Sequence, residues 1–243
     1  MAFLARLNVL LSEPLTLPVD TFKSGLCIKL FSSFSADGFL KEESKKACVD
    51  RFQKISHVFP RPPADKPLQK AAVLVPICKL EDELALLYTL RAIGVNRHRG
   101  QVSFPGGMFD ESDHSLEQTA VRETNEELGI SKDQIEIWGK GNTFDVRGIE
   151  VTPVLGYVGA VDLDKLSVNK SEVELAFLVS VRHLCDPVNF RYTQFKDGYS
   201  SPVYLKAKCR IWGITGMITH FFLKALCPEQ YKNSLYFLKP IQR

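Results

Sequence analysis

The stretch Gly106-Gly107-Met108-Phe109-Asp110-Glu111-Ser112-Asp113 leads into Ser115-Leu116-Glu117-Gln118-Thr119-Ala120-Val121-Arg122-Glu123-Thr124-Asn125-Glu126-Glu127-Leu128-Gly129-Ile130. Its local signals agree on a helix over 115–128. Ser115 and Gln118 have capping-box spacing. Gly129 falls where a left-handed residue ends a helix, and Ile130 supplies the apolar contact that follows. Leu116, Ala120, Thr124 and Leu128 form an i, i+4 stripe for the core. At ~100° per residue, Glu123, Glu126 and Glu127 fall within an arc of about 100° beside that stripe. Carboxylates at this spacing repel one another. They also crowd the C-terminal turn, where the helix dipole disfavours negative charge. A divalent cation removes both penalties, and clustered carboxylate oxygens suit hard cations such as Mg²⁺ or Mn²⁺. Arg122, four residues before Glu126, is placed to pair with it. A plain solvated acidic face is the competing reading, and the glutamates alone would favour it. The Gly106-Gly107 turn upstream tips the balance towards chemistry.

Working outward, Ala71–Cys78 and Leu84–Leu90 read as buried strands joined by the acidic turn Glu81-Asp82-Glu83. Val102-Ser103-Phe104 is a short strand closed by Pro105-Gly106-Gly107. Further strands are expected at 135–138, 143–146, 151–158 and 173–179, and an apolar helix at 214–226. Strands and helices mix without regular alternation, which predicts an α/β protein with a mixed sheet and helices on its faces. Lys41–Ser56 reads as a helix with Ala47, Val49, Phe52 and Ile55 as its apolar positions. Residues 57–67 carry Pro60, Pro62, Pro63 and Pro67 and read as an extended linker. The expected organisation is a leader or disordered extension over 1–40, helix and linker over 41–69, and the main domain over 70–243. The leader has Arg6, Lys23 and Lys29 against only Glu13 and Asp20 as acids, and is rich in Leu, Ser and Phe. That fits a mitochondrial transit segment better than a secretory signal, because Arg6 interrupts the apolar run. The C-terminus, Pro240-Ile241-Gln242-Arg243, is not a Ser-Lys-Leu-type peroxisomal address.

Composition excludes more than it proposes. The 243 residues are 45% hydrophobic and 24% charged, an ordinary folded chain rather than a disordered or collagen-like one. The 31 Lys+Arg against 28 Asp+Glu are too balanced to point to a nucleic-acid partner. No apolar run reaches the ~20 residues of a membrane-spanning helix. The six cysteines show no C-x-x-C pair or zinc spacing and read as reduced thiols. The five histidines read as structural or exposed, and Trp212-Gly213-Ile214-Thr215 as core packing rather than a wall of the site. Nothing in the sequence sets the oligomeric state.

The segment 107–130 resembles the Nudix box, G-x5-E-x7-R-E-U-x-E-E-x-G-U, with U a bulky apolar residue. Arg122, Glu123, Glu126, Glu127, Gly129 and Ile130 match it. Two positions depart from it. One extra residue between Gly107 and Arg122 leaves Asp113 holding the first acidic position, one step out of phase, and Thr124 stands at a U position. The extra residue is a trait of the coenzyme A diphosphatase subfamily, which carries a second motif, roughly L-L-T-x-R-S-x3-R-x3-G-x3-F-P-G-G. Thr89, Arg91, Gly100, Phe104, Pro105, Gly106 and Gly107 fit it. Ala92 replaces the Ser, and Asn96 the second Arg, with Arg97 adjacent. The resemblance is greatest to the mitochondrial member of that subfamily and covers about Ala71 to Tyr231.

This resemblance implies a Nudix-type α/β/α sandwich and metal-dependent hydrolysis of coenzyme A or acyl-CoA to 3′,5′-ADP and (acyl-)4′-phosphopantetheine. It implies Glu123 and Glu127 as metal ligands, Glu126 as ligand or base, and Arg122 as their orienting residue. Gly106 and Gly107 would let backbone approach the metals and phosphates. Arg91 and Arg97 are candidates for the substrate's phosphates, with Arg99 a weaker one. Glu172, near Glu174, is a candidate late-loop carboxylate. Competing readings are a Nudix pyrophosphohydrolase for ADP-ribose, NADH or nucleoside triphosphates, and a non-catalytic Nudix-fold binding module.

Overall fold

The structure, a computed structural model, describes residues 34–55, 69–93, 100–146, 148–195 and 200–235. The proline-rich linker, Arg97, Arg99 and residues 1–33 of the expected leader lie outside the described residues. The described elements are helices α1 (Ala36–Phe39) and α2 (Glu42–Lys54), then strands β1 (Gln69–Leu80), β2 (Glu83–Arg91), β3 (Val102–Ser103) and β4 (Gly106–Met108). Helix α3 (Leu116–Leu128) follows, then β5 (Glu136–Lys140), β6 (Phe144–Val146), β7 (Ile149–Ala160) and β8 (Val173–Ser180). The chain continues through α4 (Val181–Cys185), the hairpin β9 (Phe190–Gln194) and β10 (Ser200–Tyr204), and α5 (Gly213–Leu226).

Strands β1–β8 form one mixed sheet around β1. β1 runs parallel to β7, with Ala71 opposite Val151 and Val75 opposite Leu155. It pairs antiparallel with β2 only over Ile77–Leu80 against Leu86–Glu83. The two strands then part. β2 continues against β8, while β4 takes its place beside β1, with Val73 opposite Gly106 and Ala71 opposite Met108. β3 pairs with the far end of β2. The segment Phe104-Pro105 therefore crosses a wedge between β1 and β2, held there by the Leu74 N–H donating to the Pro105 carbonyl (2.9 Å).

The pleat sorts the apolar residues to two faces. Ala72, Leu74, Cys78 and Leu87 meet Ala120 and Leu128 of α3, together with Val154 and Val158. Val75, Ile77, Leu84, Leu86 and Tyr88 meet α2, α4 and α5 on the other side. The result is the expected α/β/α sandwich. Within it, α3 ends as its sequence predicts: Ser115 accepts from the Gln118 N–H (3.2 Å), and Gly129 adopts φ 70°, ψ 14°. Thr124, standing where a bulky apolar residue is usual, is buried. It satisfies its hydroxyl by donating to the Ala120 carbonyl (2.7 Å).

Three expectations change. The compact unit spans 33–243 rather than starting near Lys70. Cys48 and Phe52 of α2 are buried in the main core, and Arg51 Nε donates to the Ala225 carbonyl of α5 (2.6 Å). Cys48, not Ala47, completes the buried stripe of that helix, because Ala47 is only half-buried. Trp212 is exposed with Arg210 over its ring (5.9 Å), while Thr215 two residues into α5 is buried and donates to the Val102 carbonyl (3.0 Å). The histidines hold to expectation among the described residues. His114 is exposed, and His220 is buried against Tyr231 Oη (2.6 Å), its pKa pushed down to about 3 by burial. No helix among the described residues is long and apolar enough to cross a membrane.

Candidate active site

Helix α3 lays its C-terminal half along the wedge. Its acids enter three different environments, which a helical wheel alone does not reveal. Glu127 is buried, its side chain 2% exposed, and the Gly106 N–H donates to its carboxylate. Its Oε2 atom has no hydrogen-bond partner among the described residues. Arg91, at the end of β2, approaches its Oε1 to 3.8 Å. Burial pushes the Glu127 carboxyl up to about 8, against the pull of Arg91 and with further upward pressure from Glu123 and Glu172. Glu123 is 15% exposed and is also raised, first by burial, then by Glu126 and Glu172. Glu126 is 52% exposed and faces solvent.

Arg122 ties these acids to the preceding turn. Its Nε and Nη2 donate to the two oxygens of Asp113, each at 3.0 Å, and Nη2 also reaches the Met108 carbonyl (3.2 Å). Its Nη1 donates to Glu123 Oε1 (2.9 Å) and Glu126 Oε2 (3.1 Å). Asp113 is buried and also accepts from Thr119 Oγ1 (2.8 Å) and the Asp110 N–H (3.1 Å). These bonds, led by Arg122, hold its carboxyl well below the usual carboxylate range. The out-of-phase acid thus has a clear task. The turn Asp110–Asp113 is closed by the Asp113 N–H donating to the Asp110 carbonyl (2.9 Å). Asp113 then orients Arg122 by a bidentate pair, the strong form of such contacts.

The two glycines serve different purposes. A Cβ on Gly106 (φ 156°) would strike the Ala72 carbonyl and Val73 Cα (2.6 Å), both backbone of β1. A Cβ on Gly107 would instead occupy the place of the Glu123 carboxylate, with Oε2 at 2.8 Å and Oε1 nearer. Gly106→Ala is therefore expected to lower Tm by several degrees through disrupted strand pairing. Gly107→Ala should keep Tm within a few degrees yet reduce turnover roughly 10-fold or more by displacing Glu123. Melting curves and kcat of the two variants check this, and equal effects on both quantities would refute the division.

Glu172 precedes β8 and joins this group. Its charge acts on both Glu123 and Glu127, and its Oε1 accepts from Asn169 Nδ2 (3.3 Å). Glu174 is exposed and belongs to the strand edge. Among the described residues no three acidic, histidine or cysteine side chains stand close enough together to hold an ion as they are. Arg122 lies between Glu123 and Glu126 and takes up the charge that a cation would neutralise. The donor set nevertheless fits a hard divalent cation. It offers an orphaned buried carboxylate oxygen on Glu127, a Glu123 carboxylate cradled on bare backbone at Gly107, and Glu126 and Glu172 nearby.

A NUDIX domain family description matches residues 68–197, which span the sheet, α3 and this cluster. The chain belongs to the Nudix family. The mitochondrial coenzyme A diphosphatase NUDT8 of Mus musculus is 44% identical over 171 residues, covering 68% of this chain and 81% of the relative. The protein of the same name from Homo sapiens is 42% identical, covering 68% and 72%. Nudix hydrolase 3 of Caenorhabditis elegans is 33% identical over 183 residues, covering 68% and 76%. Nudix hydrolases in general need divalent metal ions, in keeping with the carboxylates gathered on this helix. Sequence reasoning singled out Arg122, the three glutamates, both glycines, Arg91 and Glu172 at this site. It missed the grip of Asp113 on Arg122 and the part of Asn169, whose signals lie in turns rather than in the box.

Proposed function

We propose that this Nudix protein is a coenzyme A diphosphatase that cleaves coenzyme A or acyl-CoA to 3′,5′-ADP and (acyl-)4′-phosphopantetheine. The observation that carries the reading is the wedge itself. Arg91, from the upstream motif, reaches Glu127 Oε1 (3.8 Å), while Gly107, which ends that motif, lies against the Glu123 carboxylate. The names of the relatives at 42–44% identity support this choice of substrate.

In this reading Glu123 and Glu127 bind Mg²⁺ or Mn²⁺, with Glu126 as a further ligand or the base. Held there, the ion would supply positive charge against the diphosphate and would lower the pKa of water. Arg122, gripped by Asp113, fixes the rotamers of Glu123 and Glu126 so that little reorganisation is left for the reaction. Arg91 sits at the mouth with its guanidinium beside Glu127 and is placed to meet a phosphate, and Arg97 is assigned the same task. Gly106 and Gly107 give the substrate a backbone floor free of side chains. Glu172 adds a fourth carboxylate, as ligand or base. A mitochondrial location accords with the names of the relatives.

The test is a substrate panel of coenzyme A, acyl derivatives, ADP-ribose, NADH and ATP, each with Mg²⁺ and with Mn²⁺. Coenzyme A species are expected to lead in kcat/KM by about 10-fold or more, the scale of a few well-placed contacts. Their ranking below ADP-ribose or ATP would overturn the substrate assignment.

A further inference from the structure

We propose that Asn169 is a positioning residue that aims the Glu172 carboxylate at Glu123 and Glu127 by clamping its loop to the end of α3. The inference rests on the reading of that carboxylate group as catalytic.

Asn169 spends its backbone and its side chain on two separate jobs. Its N–H donates to the Glu127 carbonyl (2.9 Å), one of the carbonyls that a helix end leaves without an internal partner. Its own carbonyl accepts from the Glu172 N–H (3.1 Å) and the Val173 N–H (2.9 Å). The backbone thus staples the residue bearing the buried carboxylate to the residue bearing the late-loop one. The side chain then sets direction. Oδ1 accepts from the Ser171 N–H (3.2 Å) and Ser171 Oγ (2.6 Å). A backbone N–H only donates, so the atom facing it must be the oxygen. That assignment turns Nδ2 towards Glu172 Oε1 (3.3 Å). The Ala92 N–H fixes the other side of the same residue by donating to the Glu172 carbonyl (2.8 Å).

The turn itself requires only an acceptor at position 169, which Asp or Ser would provide as well. The amide donor is the part the turn does not require. Among the described residues it is the neutral donor that holds the Glu172 carboxylate against repulsion from Glu123 and Glu127. A carboxylate with two carboxylates nearby and no donor turns to water.

The variants Asn169→Asp, Asn169→Ser, Glu172→Gln and Asn169→Asp/Glu172→Gln separate these roles in the full chain. They are assayed on coenzyme A, or on whichever diphosphate the wild type cleaves fastest. Mn²⁺ affinity is measured by titration without substrate. Asn169→Asp and Asn169→Ser keep the acceptor of the turn, so Tm should stay within a few degrees of wild type. In both, kcat is expected to fall about 10-fold with KM within twofold, and Mn²⁺ binding to weaken by about 10-fold, the lower range for losing a group behind a ligand. The double variant should be no slower than Glu172→Gln, because nothing is left to position.

Wild-type kcat and Mn²⁺ affinity in both Asn169 variants, with Glu172→Gln slow, would overturn the proposal and leave the catalytic reading standing. Wild-type behaviour of Glu172→Gln would remove Glu172 from the machinery and the proposal with it. Multiplying effects in the double variant would show that Asn169 acts elsewhere.

Discussion

Glu126→Gln is expected to slow turnover at least ~10²-fold while the folded structure stays intact, the lower range for losing an acid–base or electrostatic group. The two effects separate because of where the side chain stands. Glu126 is the exposed member of the acidic arc, bonded among the described residues only to Arg122 Nη1 at 3.1 Å, so glutamine keeps both the volume and an oxygen for that bond. A surface pair of this kind contributes little to stability. What glutamine removes is the negative charge, on the one glutamate of the arc that solvent and substrate reach freely. The measurement is kcat at saturating substrate and divalent cation, alongside a melting curve. A large drop in Tm would mean that the side chain does structural work that the geometry does not show. Unchanged turnover would take Glu126 out of the reaction and favour a solvated acidic face.

The residues themselves explain why so much was legible beforehand, and where legibility stopped. The elements of the sandwich announce themselves locally: β1 and β2 are continuous apolar runs buried on both faces, and α3 carries its cap, stripe and terminal glycine in sequence. The acid cluster was legible because helical spacing is a fixed geometry. Three features were not. The wedge between β1 and β2 arises from long-range pairing, in which β4 displaces β2 from β1, and no local pattern encodes that. Helix α2 looked like part of a connecting segment because a proline-rich stretch follows it, yet Cys48 and Phe52 bury it in the core. The differing environments of Glu123, Glu126 and Glu127 depend on what Gly106, Gly107, Arg91 and Glu172 bring from elsewhere. A helical wheel gives the direction of a side chain but not its surroundings.

Those surroundings make Glu127→Gln act in two opposite directions. Metal-free protein should become more stable at pH 8, while turnover should fall ~10²–10³-fold, the loss typical of removing one electrostatic contact to the transition state. The stability half follows from linkage. Burial raises the Glu127 carboxyl from an ordinary value of 4.5 to about 8 in the folded chain, so the native state holds a proton that the unfolded state releases. Stability from this group is complete below about pH 4.5, declines as pH rises, and is lost by about pH 8. Each pKa unit corresponds to about 1.4 kcal/mol, so even half of the shift moves Tm by several degrees. Glutamine cannot ionise, and its oxygen still accepts from the Gly106 N–H. Melting curves in chelator from pH 5 to 9 should therefore slope downward for wild type and flatten for the variant. Adding divalent cation should lift the wild-type curve most at high pH, where the carboxylate is already bare, and should lift the variant little. A variant that is less stable than wild type at pH 8 in chelator would contradict the buried-charge account. One that still turns over at the wild-type rate would take Glu127 out of the site. The orphaned Oε2 atom joins the two halves of the prediction: a buried carboxylate oxygen that none of the described protein groups satisfies weakens the empty site and strengthens the loaded one.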